Sequence, residues 1–185
     1  MNHIKDINQE EKMILIASSR DNLSIELVEC IGQKTASEII NISEDLKKIY
    51  GPSSILSNNN IHKYFNDNTL PFIARYNNKI IGFIVGAPLE YFKNQSWVQY
   101  DKNLNKKNTL YTCAFVFKKK FRKKSGFSKT LKKIYINWAK KKGYKYITGH
   151  IGKNIFKKNK QTKIIKEFPV WYESSIPFIY YRKTI

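Results

Sequence analysis

The chain has 185 residues, of which 42% are hydrophobic and 14% are aromatic. This length and composition predict one ordinary folded domain and exclude a disordered chain. The longest nearly uninterrupted apolar stretch, residues 80–89, is half of the roughly 20 residues that a spanning helix requires. Residues 1–11 are polar and give no sign of a secretory leader, so we expect a cytoplasmic protein with no membrane partner.

Cysteine and histidine are too few and too scattered for a disulfide framework or a metal site. The two cysteines are Cys30 and Cys113, no CxxC motif occurs, and the three histidines (His3, His62 and His150) lie far apart in the sequence. We therefore expect no bound metal, and we expect both thiols to be buried in a protein of a reducing compartment.

Charge is distributed unevenly along the chain. Lysine and arginine total 34 against 14 acidic residues, for a net charge of +20. Residues 1–92 contain 9 basic and 11 acidic residues, whereas residues 93–185 contain 25 basic and 3 acidic residues. The asymmetry indicates an acidic or phosphate-bearing partner of the C-terminal half. The second interpretation is compositional drift. Lys, Asn and Ile supply 74 of the 185 residues. All three are encoded by A- and T-rich codons, so genome composition explains part of the lysine excess.

The first third of the sequence predicts a strand and a helix. An apolar patch at residues 13–17 indicates a short strand or helix at the domain edge, and the alternation over residues 23–31 predicts a strand. Thr35 and Glu38 have the spacing of a capping box, which predicts that a helix begins at Thr35. Gly51 and Pro52 should end this helix.

The middle of the chain predicts a hairpin. After a short helix at residues 61–65, strands at residues 71–76 and 79–88 flank Asn77-Asn78, a pair that tolerates positive φ. Residues 91–108 form a polar excursion that is too long for a turn, and we interpret it as a candidate substrate-facing loop.

A strand–loop–helix–strand unit follows. Residues 109–117 are rich in β-branched and aromatic side chains and predict a buried central strand. Residues 128–142 carry one apolar stripe and predict a helix that Gly143 closes. Residues 144–151 predict the next strand. This order is typical of a β-α-β crossover. Residues 164–172 and 177–183 predict two more strands.

The loop at residues 118–128 suits a phosphate group. Gly126 permits close approach of the backbone to a ligand, the following helix presents free N–H groups, and the lysines add positive charge. Neither the Walker motif nor the dinucleotide fingerprint is present. In the alternative interpretation, Gly126 only permits a tight turn and the lysines are solvated.

This unit resembles the GNAT superfamily of acyl-coenzyme A-dependent N-acetyltransferases, whose signature is R/Q-x-x-G-x-G/A between a strand and a helix. Residues 123–128 (KKSGFS) fit it with Lys for Arg/Gln and Ser for the second glycine, while Arg122 stands one residue early. The order of elements also matches from about residue 23 to residue 185. The resemblance implies one α/β (α+β) domain over residues 1–185, with residues 1–22 as a candidate N-terminal extension. It implies a central mixed, mostly antiparallel sheet of about 6–7 strands with helices on both faces.

The resemblance also implies acetyl-CoA as co-substrate. Backbone N–H groups of the signature loop would bind the pyrophosphate, basic side chains would reach phosphate oxygens, and main chain of the central strand would pair with the pantetheine arm. An asparagine after the following strand would contact the same arm. The expected cofactor-binding residues are Phe115, Val116, Phe117, Arg122, Lys123, Lys124, Ser125, Gly126, Phe127, Ser128, Lys129 and Asn154.

Three residues are candidates for the proton transfers of acyl transfer to an amine. Glu90 ends the second hairpin strand and is a candidate base, or an ordinary exposed acid. His150 is the other candidate base, or a satisfied strand histidine. The family often uses a tyrosine after the asparagine as general acid, but residues 155–166 contain no tyrosine, so Tyr172 is the candidate substitute.

The predicted function is N-acyltransferase activity, in which an amine attacks the thioester of acetyl-CoA directly. The acceptor is a small amine, a protein amine or an aminoacyl-RNA, and the protein is a monomer or a homodimer. Two alternatives remain: a basic nucleic-acid-binding module that tracks phosphates with its lysine clusters, and a degenerate family member that binds CoA without transfer.

Overall fold

One mixed sheet organises the protein. The structure is a computed structural model that describes residues 10–20, 22–54, 56–122, 126–157 and 159–185. Within these residues eight strands lie in the order β1-β2-β3-β4-β5-β6-β8-β7, and every neighbouring pair is antiparallel except β5 and β6, which are parallel. The strands are β1 (Lys12–Ser18), β2 (Leu23–Cys30), β3 (Leu70–Tyr76), β4 (Lys79–Pro88), β5 (Thr109–Phe117), β6 (Tyr146–Gly152), β7 (Thr162–Phe168) and β8 (Phe178–Thr184).

Helices pack on both faces of the sheet. They are α1 (Gln33–Tyr50), α2 (Ile61–Tyr64) and α3 (Phe127–Lys141). Alternating side chains of the central strands divide between two cores, which we call the α1-side core (including Ile39, Ile73 and Val116) and the α3-side core (including Phe72 and Leu131). In the described parts of the chain, none of the helices combines the length and apolar character needed to cross a membrane.

The predicted hairpin and central unit are present. Strands β3 and β4 flank Asn77 and Asn78, whose φ angles of 47° and 61° are the left-handed values expected for this turn. Strand β5 has the predicted bounds, and α3 begins and ends one residue earlier than predicted. Gly143 follows α3 with φ 87°, as a glycine just beyond a helix end commonly does.

The sheet is larger than the sequence predicted, with eight strands in place of six or seven. The apolar patch at residues 13–17 is part of the edge strand β1, which pairs with β2 along its length. Strand β7 ends at Phe168, four residues before the predicted end, because Pro169 has no N–H group to donate to a ladder.

The predicted capping box is wrong. Helix α1 begins at Gln33 with Gly32 as its N-cap and no side-chain cap. A long-range contact replaces the cap, since the backbone N–H of Gly32 donates to Oε1 of Glu11 at 3.1 Å. Thr35 is buried, and its Oγ1 lies 3.5 Å from Nη2 of Arg75 on β3, so its side chain serves tertiary packing.

A buried ion pair ties the excursion at residues 91–108 to the sheet. The Asp101 side chain is fully buried and accepts hydrogen bonds from the guanidinium of Arg182 on β8, from the Tyr180 hydroxyl at 3.1 Å and from the Asn103 N–H at 2.9 Å. These contacts satisfy a buried carboxylate and hold the excursion against the end of the sheet that includes β5, β6 and β8.

Candidate functional site

The two parallel strands diverge along most of their length. Pairing between β5 and β6 runs only from Thr109 to Tyr111 on one strand and from Tyr146 to Thr148 on the other. Strand β5 nevertheless continues to Phe117 and β6 continues to Gly152. The main chain of β5 beyond Tyr111 therefore faces an open space, which we call the inter-strand gap.

A bulge in β5 accompanies this divergence. Gly86 of β4 pairs with Thr112 and the preceding Val85 pairs with Ala114, so the ladder steps over Cys113. Such a bulge re-aims the side chains that follow it. Cys113 and Ala114 both contact the α1-side core, and Phe115 turns to the other face, where the Lys132 ammonium lies 5.9 Å from its ring centroid.

A cavity of about 840 Å³ surrounds the gap and is lined by residues from both faces of the sheet. On one side the wall comes from α1, α2, the turn at Leu89–Phe92 and the segment at residues 171–172, and we call this the α1-side half. On the other side it comes from α3 and from β8, which gives the α3-side half. The volume is in the range of small-molecule and cofactor sites. A ligand can thus extend through the sheet between β5 and β6.

The start of α3 precedes the residues through which this helix lines the cavity, which are Lys132, Tyr135 and Ile136. Gly126 precedes α3 with φ 71°, and a Cβ atom built on it would meet none of the described residues within 4 Å apart from its chain neighbours and the α3 backbone. Phe127 is buried in the α3-side core and anchors the helix end, while Lys129 is exposed and Ser128 is half-buried. The first N–H groups of a helix have no intrahelical partner and attract anions. The predicted residues Lys123, Lys124 and Ser125 lie outside the described residues.

Arg122 makes structural contacts. Its Nε donates to the Phe117 carbonyl oxygen at 2.7 Å, and its Nη2 lies 2.6 Å from Oδ2 of Asp45 on α1. A phosphate contact by Arg122, as predicted from the sequence, would compete with this ion pair. Among the predicted main-chain contacts, Phe115 lines the cavity, whereas the side chains of Val116 and Phe117 are buried in the two cores.

Asn154 lies beside the cavity. It is exposed in a 3-10 turn at Lys153–Ile155, and its Oδ1 is 2.9 Å from the position that a Cβ atom on Gly152 would occupy. Its neighbour Ile155 lines the cavity and exposes 62% of its surface.

His150 is enclosed by aromatic rings. Trp171 stacks on one face with centroids 3.5 Å apart, and Tyr180 stacks on the other face at 4.7 Å. Nδ1 hydrogen-bonds the Tyr111 hydroxyl at 2.9 Å, and the buried Nε2 has no partner among the described residues. Burial lowers the pKa of His150 from 6.5 to about 3. The imidazole is therefore neutral near pH 7. It lines the cavity together with Tyr111, whose hydroxyl it contacts through Nδ1.

Replacing His150 with Phe should reduce the dependence of stability on pH. The folded-state pKa lies below the unfolded value, so between about pH 6.5 and about pH 3 the unfolded chain binds a proton that the folded protein does not. Stability contributed by neutral His150 is complete above pH 6.5 and is lost as pH falls, with a slope of up to about 1.4 kcal/mol per pH unit. Urea unfolding between pH 5 and 7 measures the slope.

The matched control for this experiment is His62→Phe, at an exposed position. The control should keep the slope of the original protein, and only His150→Phe should flatten it. Equal slopes in the original protein and His150→Phe would mean that His150 takes up its proton as easily in the folded state as in the unfolded chain.

Glu90 lies outside the residues that line the cavity. Its Oε1 accepts a hydrogen bond from the Lys107 N–H at 2.9 Å, which holds the end of the excursion. The preceding Pro88 pairs with Leu110, in the part of β5 that is still paired to β6. Glu90 is therefore at the closed end of the strand pair, away from the inter-strand gap.

Tyr172 lines the α1-side half. It follows the end of β7 in a left-handed conformation with φ 50°, and 60% of its surface is exposed. Partial burial raises the pKa of its hydroxyl, with a smaller contribution from Cys113. The hydroxyl stays protonated near neutral pH and can donate a proton or a hydrogen bond into the cavity.

Sequence reasoning missed many residues of the cavity wall, among them Tyr111, Cys113 and Lys132. Alternation along residues 109–117 places Tyr111 and Cys113 on one face, but the bulge that re-aims the later side chains leaves no local signal. Burial raises the pKa of the Cys113 thiol to about 12 and lowers the pKa of the Lys132 ammonium. No group of three or more metal-ligating side chains occurs in the described portion of the chain.

A parallel strand pair that diverges, with a cavity through the sheet at the gap, is the geometry of an α/β fold that can hold an extended ligand between two strands. The family comparison makes this specific. Residues 39–157 match the acetyltransferase (GNAT) family, and this is well over half of the chain. The protein belongs to the GNAT acetyltransferase family. No curated protein sequence matches the chain significantly.

Solved structures show the same fold at low sequence identity. A GCN5-related N-acetyltransferase from Kribbella flavida superposes with a TM-score of 0.63 at 10% identity, covering 90% of this chain and 100% of that one. Ribosomal-protein-alanine N-acetyltransferase from Brucella melitensis superposes with a TM-score of 0.60 at 10% identity, covering 87% of this chain and 99% of that one. A GNAT family acetyltransferase from Elizabethkingia anophelis, with acetyl-CoA bound, superposes with a TM-score of 0.56 at 18% identity, covering 90% of this chain and 100% of that one.

Proposed function

We propose that this acetyltransferase moves the acetyl group of acetyl-CoA to a primary amine that enters the cavity from the α1-side half. The observation that carries the proposal is the short β5–β6 ladder, which ends at Tyr111 and Thr148 and leaves a ligand-sized cavity through the sheet. Main-chain groups of β5 in the inter-strand gap can pair with an extended arm as an added strand does.

The donor would be held on the α3 side. Backbone N–H groups at Phe127 and Ser128, behind the left-handed Gly126, suit the pyrophosphate because the helix start presents unpaired donors and a positive dipole end. Lys129 and Lys132 add positive charge along the same helix, and Lys132 also lines the cavity. Lys123, Lys124 and Ser125 remain predicted contacts of the same phosphates.

In this reaction a neutral amine attacks the thioester carbonyl carbon, so that a C–N bond forms and the C–S bond breaks. The nitrogen loses a proton, and the departing sulfur gains one. The raised thiol pKa of Cys113 favours direct attack, because a neutral thiol is a poor nucleophile for an acyl-cysteine intermediate. Orientation of the amine can supply much of the rate. We propose Tyr172 as the acid toward the departing sulfur and neutral His150 as a residue that orients Tyr111. Glu90, which is remote from the gap, has no role in this proposal.

Replacing Tyr172 with Phe should lower kcat by about a hundredfold while KM for acetyl-CoA changes little. The ring is kept and only the proton donor is lost. Steady-state kinetics with a thiol-detecting reagent measure the effect, and Tyr100→Phe, at an exposed tyrosine outside the cavity lining, is the control. An unchanged kcat would remove Tyr172 as the acid.

Titration of the protein with acetyl-CoA tests the function itself. A ligand that binds the folded state raises its apparent stability in proportion to RT ln(1 + [L]/Kd). We expect saturable stabilisation by acetyl-CoA and weaker stabilisation by 3′-dephospho-CoA. No response at millimolar acetyl-CoA would overturn the proposal, and salt-dependent nucleic-acid binding would then explain the basic half better.

A further inference from the structure

We propose that the acceptor is an aromatic amine that also carries a carboxylate, such as an aromatic amino acid, and that the α1-side half selects it. This inference rests on the proposed function and deepens it, because it concerns which amine meets the donor. Three properties of the α1-side half support it: exposed apolar surface, the absence of acidic side chains from the described wall, and the exposed Lys63, which has no acidic partner among the described residues.

The α1-side half leaves apolar surface open to solvent. Ile49 exposes 41% of its surface, Tyr91 exposes 45% and Tyr172 exposes 60%, and all three line the cavity. Large apolar side chains that remain exposed together in a concave site indicate a ligand with apolar surface of its own. Two flat tyrosine rings among them favour an aromatic body, which gains from ring stacking in addition to burial.

Behind these exposed side chains the wall is rigid and aromatic. Tyr50 packs on Phe178 with centroids 5.0 Å apart, and Trp97 packs on Tyr111 at 4.7 Å. The buried ion pair of Asp101 holds the excursion that carries Trp97. The α1-side half of the cavity is thus preformed, and its side chains need not become ordered when an aromatic acceptor binds.

The charge of the wall excludes a polycation. Among the described residues that line the whole cavity there is no aspartate or glutamate. Glu173 follows Tyr172 in the chain, but its carboxylate packs against Gly51 outside the lining. A polyamine or an aminosugar with several ammonium groups would find no carboxylate partner here, and burial of unpaired charges is costly.

Lys63 gives the α1-side half a positive charge. It extends from α2, is exposed, lines the cavity, and forms no ion pair with an acid of the described residues. It is near the Cys113 thiol, whose pKa it lowers slightly against the larger effect of burial. A carboxylate on the acceptor would pair with Lys63 by a charge-assisted hydrogen bond, while the amine of the same molecule points at the gap. The other lysines of the wall are Lys132 on α3, Lys157 in the segment after β6, and Lys183 on β8, and none of the three belongs to the elements that form the α1-side half.

The experiment compares four amines: phenylalanine, phenylalaninamide and phenethylamine, which share the aromatic ring and differ at the carboxylate, and spermidine, an aliphatic polycation. Each is titrated by calorimetry into the protein saturated with CoA, and each is then tested as acceptor with acetyl-CoA. We expect phenylalanine to bind at least about tenfold more tightly than phenylalaninamide or phenethylamine, because the last two lack the carboxylate. Spermidine should bind weakest.

Two substitutions at exposed wall positions test the two parts of the inference. Lys63→Glu should remove the preference for phenylalanine over phenethylamine, whereas Lys79→Glu, the same charge change at the β3–β4 turn, should keep it. Tyr91→Ala should weaken all three aromatic amines together by about threefold to tenfold. Thermal unfolding of each variant verifies that the fold is intact.

The outcomes separate this inference from the proposed function. If the protein binds acetyl-CoA but phenylalaninamide equals phenylalanine, the carboxylate assignment is wrong. If spermidine is preferred, the whole acceptor assignment is wrong, although the acetyltransferase function stands. If acetyl-CoA itself fails to bind, the proposed function fails and the inference fails with it.

Discussion

Gly126→Val should weaken acetyl-CoA binding by about a hundredfold or more. Gly126 has φ 71°, a left-handed value that costs an L-residue roughly 1–2 kcal/mol and a β-branched one more. A valine Cβ would meet none of the described residues within 4 Å apart from its chain neighbours and the α3 backbone, so the expected effect acts through the backbone conformation. The turn must move to relieve the strain, which displaces the N–H groups at the start of α3. Loss of two hydrogen bonds to a charged phosphate accounts for the expected change in Kd.

The matched control is at the other end of the same helix. Gly143 has φ 87°, and a Cβ atom there would likewise meet nothing within 4 Å in the described part of the chain beyond its chain neighbours. Gly143→Val therefore introduces the same kind of strain and a similar loss of stability, but far from the proposed phosphate site. Calorimetric titration of both variants should show that only Gly126→Val loses acetyl-CoA affinity. Equal affinities in the two variants would contradict the pyrophosphate assignment.

Asp101→Ala should destabilise the protein by about 3–5 kcal/mol. The Asp101 side chain is fully buried, and that of its partner Arg182 is only 6% exposed. Removal of the carboxylate leaves a buried guanidinium without its counter-charge and leaves the Tyr180 hydroxyl without its acceptor. Because this pair holds the excursion at residues 91–108, the variant should also weaken acceptor binding. Urea unfolding measures the free energy of unfolding.

An exposed ion pair provides the comparison. Nζ of Lys153 lies 2.6 Å from Oε2 of Glu167, and both side chains are about half exposed. Glu167→Ala should cost no more than about 1 kcal/mol, since solvent screens the pair and ordering two long side chains opposes it. If Asp101→Ala and Glu167→Ala were equally mild, the buried pair would not be the contact that fixes the excursion.

Much of the fold could be predicted from local sequence. The hairpin follows from Asn77-Asn78 between two alternating runs, and β5 follows from nine residues that are mostly β-branched or aromatic. The apolar stripe of α3, including Leu131 and Tyr135, gave the helix to within one residue at each end. Gly126 was identified for close approach of the backbone to a ligand, with a tight turn as the alternative; its φ of 71° shows that the turn needs a left-handed residue, and the ligand contact stays a prediction.

The candidate site could be predicted only in part. The loop before α3 and the strand that lines the cavity were identified from the sequence, because both belong to one local unit of strand, loop and helix. Tyr172 was identified only as a substitute for an absent tyrosine, and the cavity includes it. Glu90 shows the limit of this reasoning. The end of a strand was predicted correctly, but not whether that end faces the gap or the closed side of the sheet.

The amino-acid sequence by itself determined the elements, their order, the excess charge of the second half and the family, because these depend on residue type and on neighbours within a few positions. The tertiary structure alone decided where the ladder between β5 and β6 ends, which groups surround His150, and that Asp45 engages Arg122. The start of α1 belongs with these, since Glu11 replaces the predicted Thr35 cap. Each of these features joins residues more than 20 positions apart in the chain. Contacts at such separations are set by the register and packing of whole strands and helices, and no local sequence pattern encodes them.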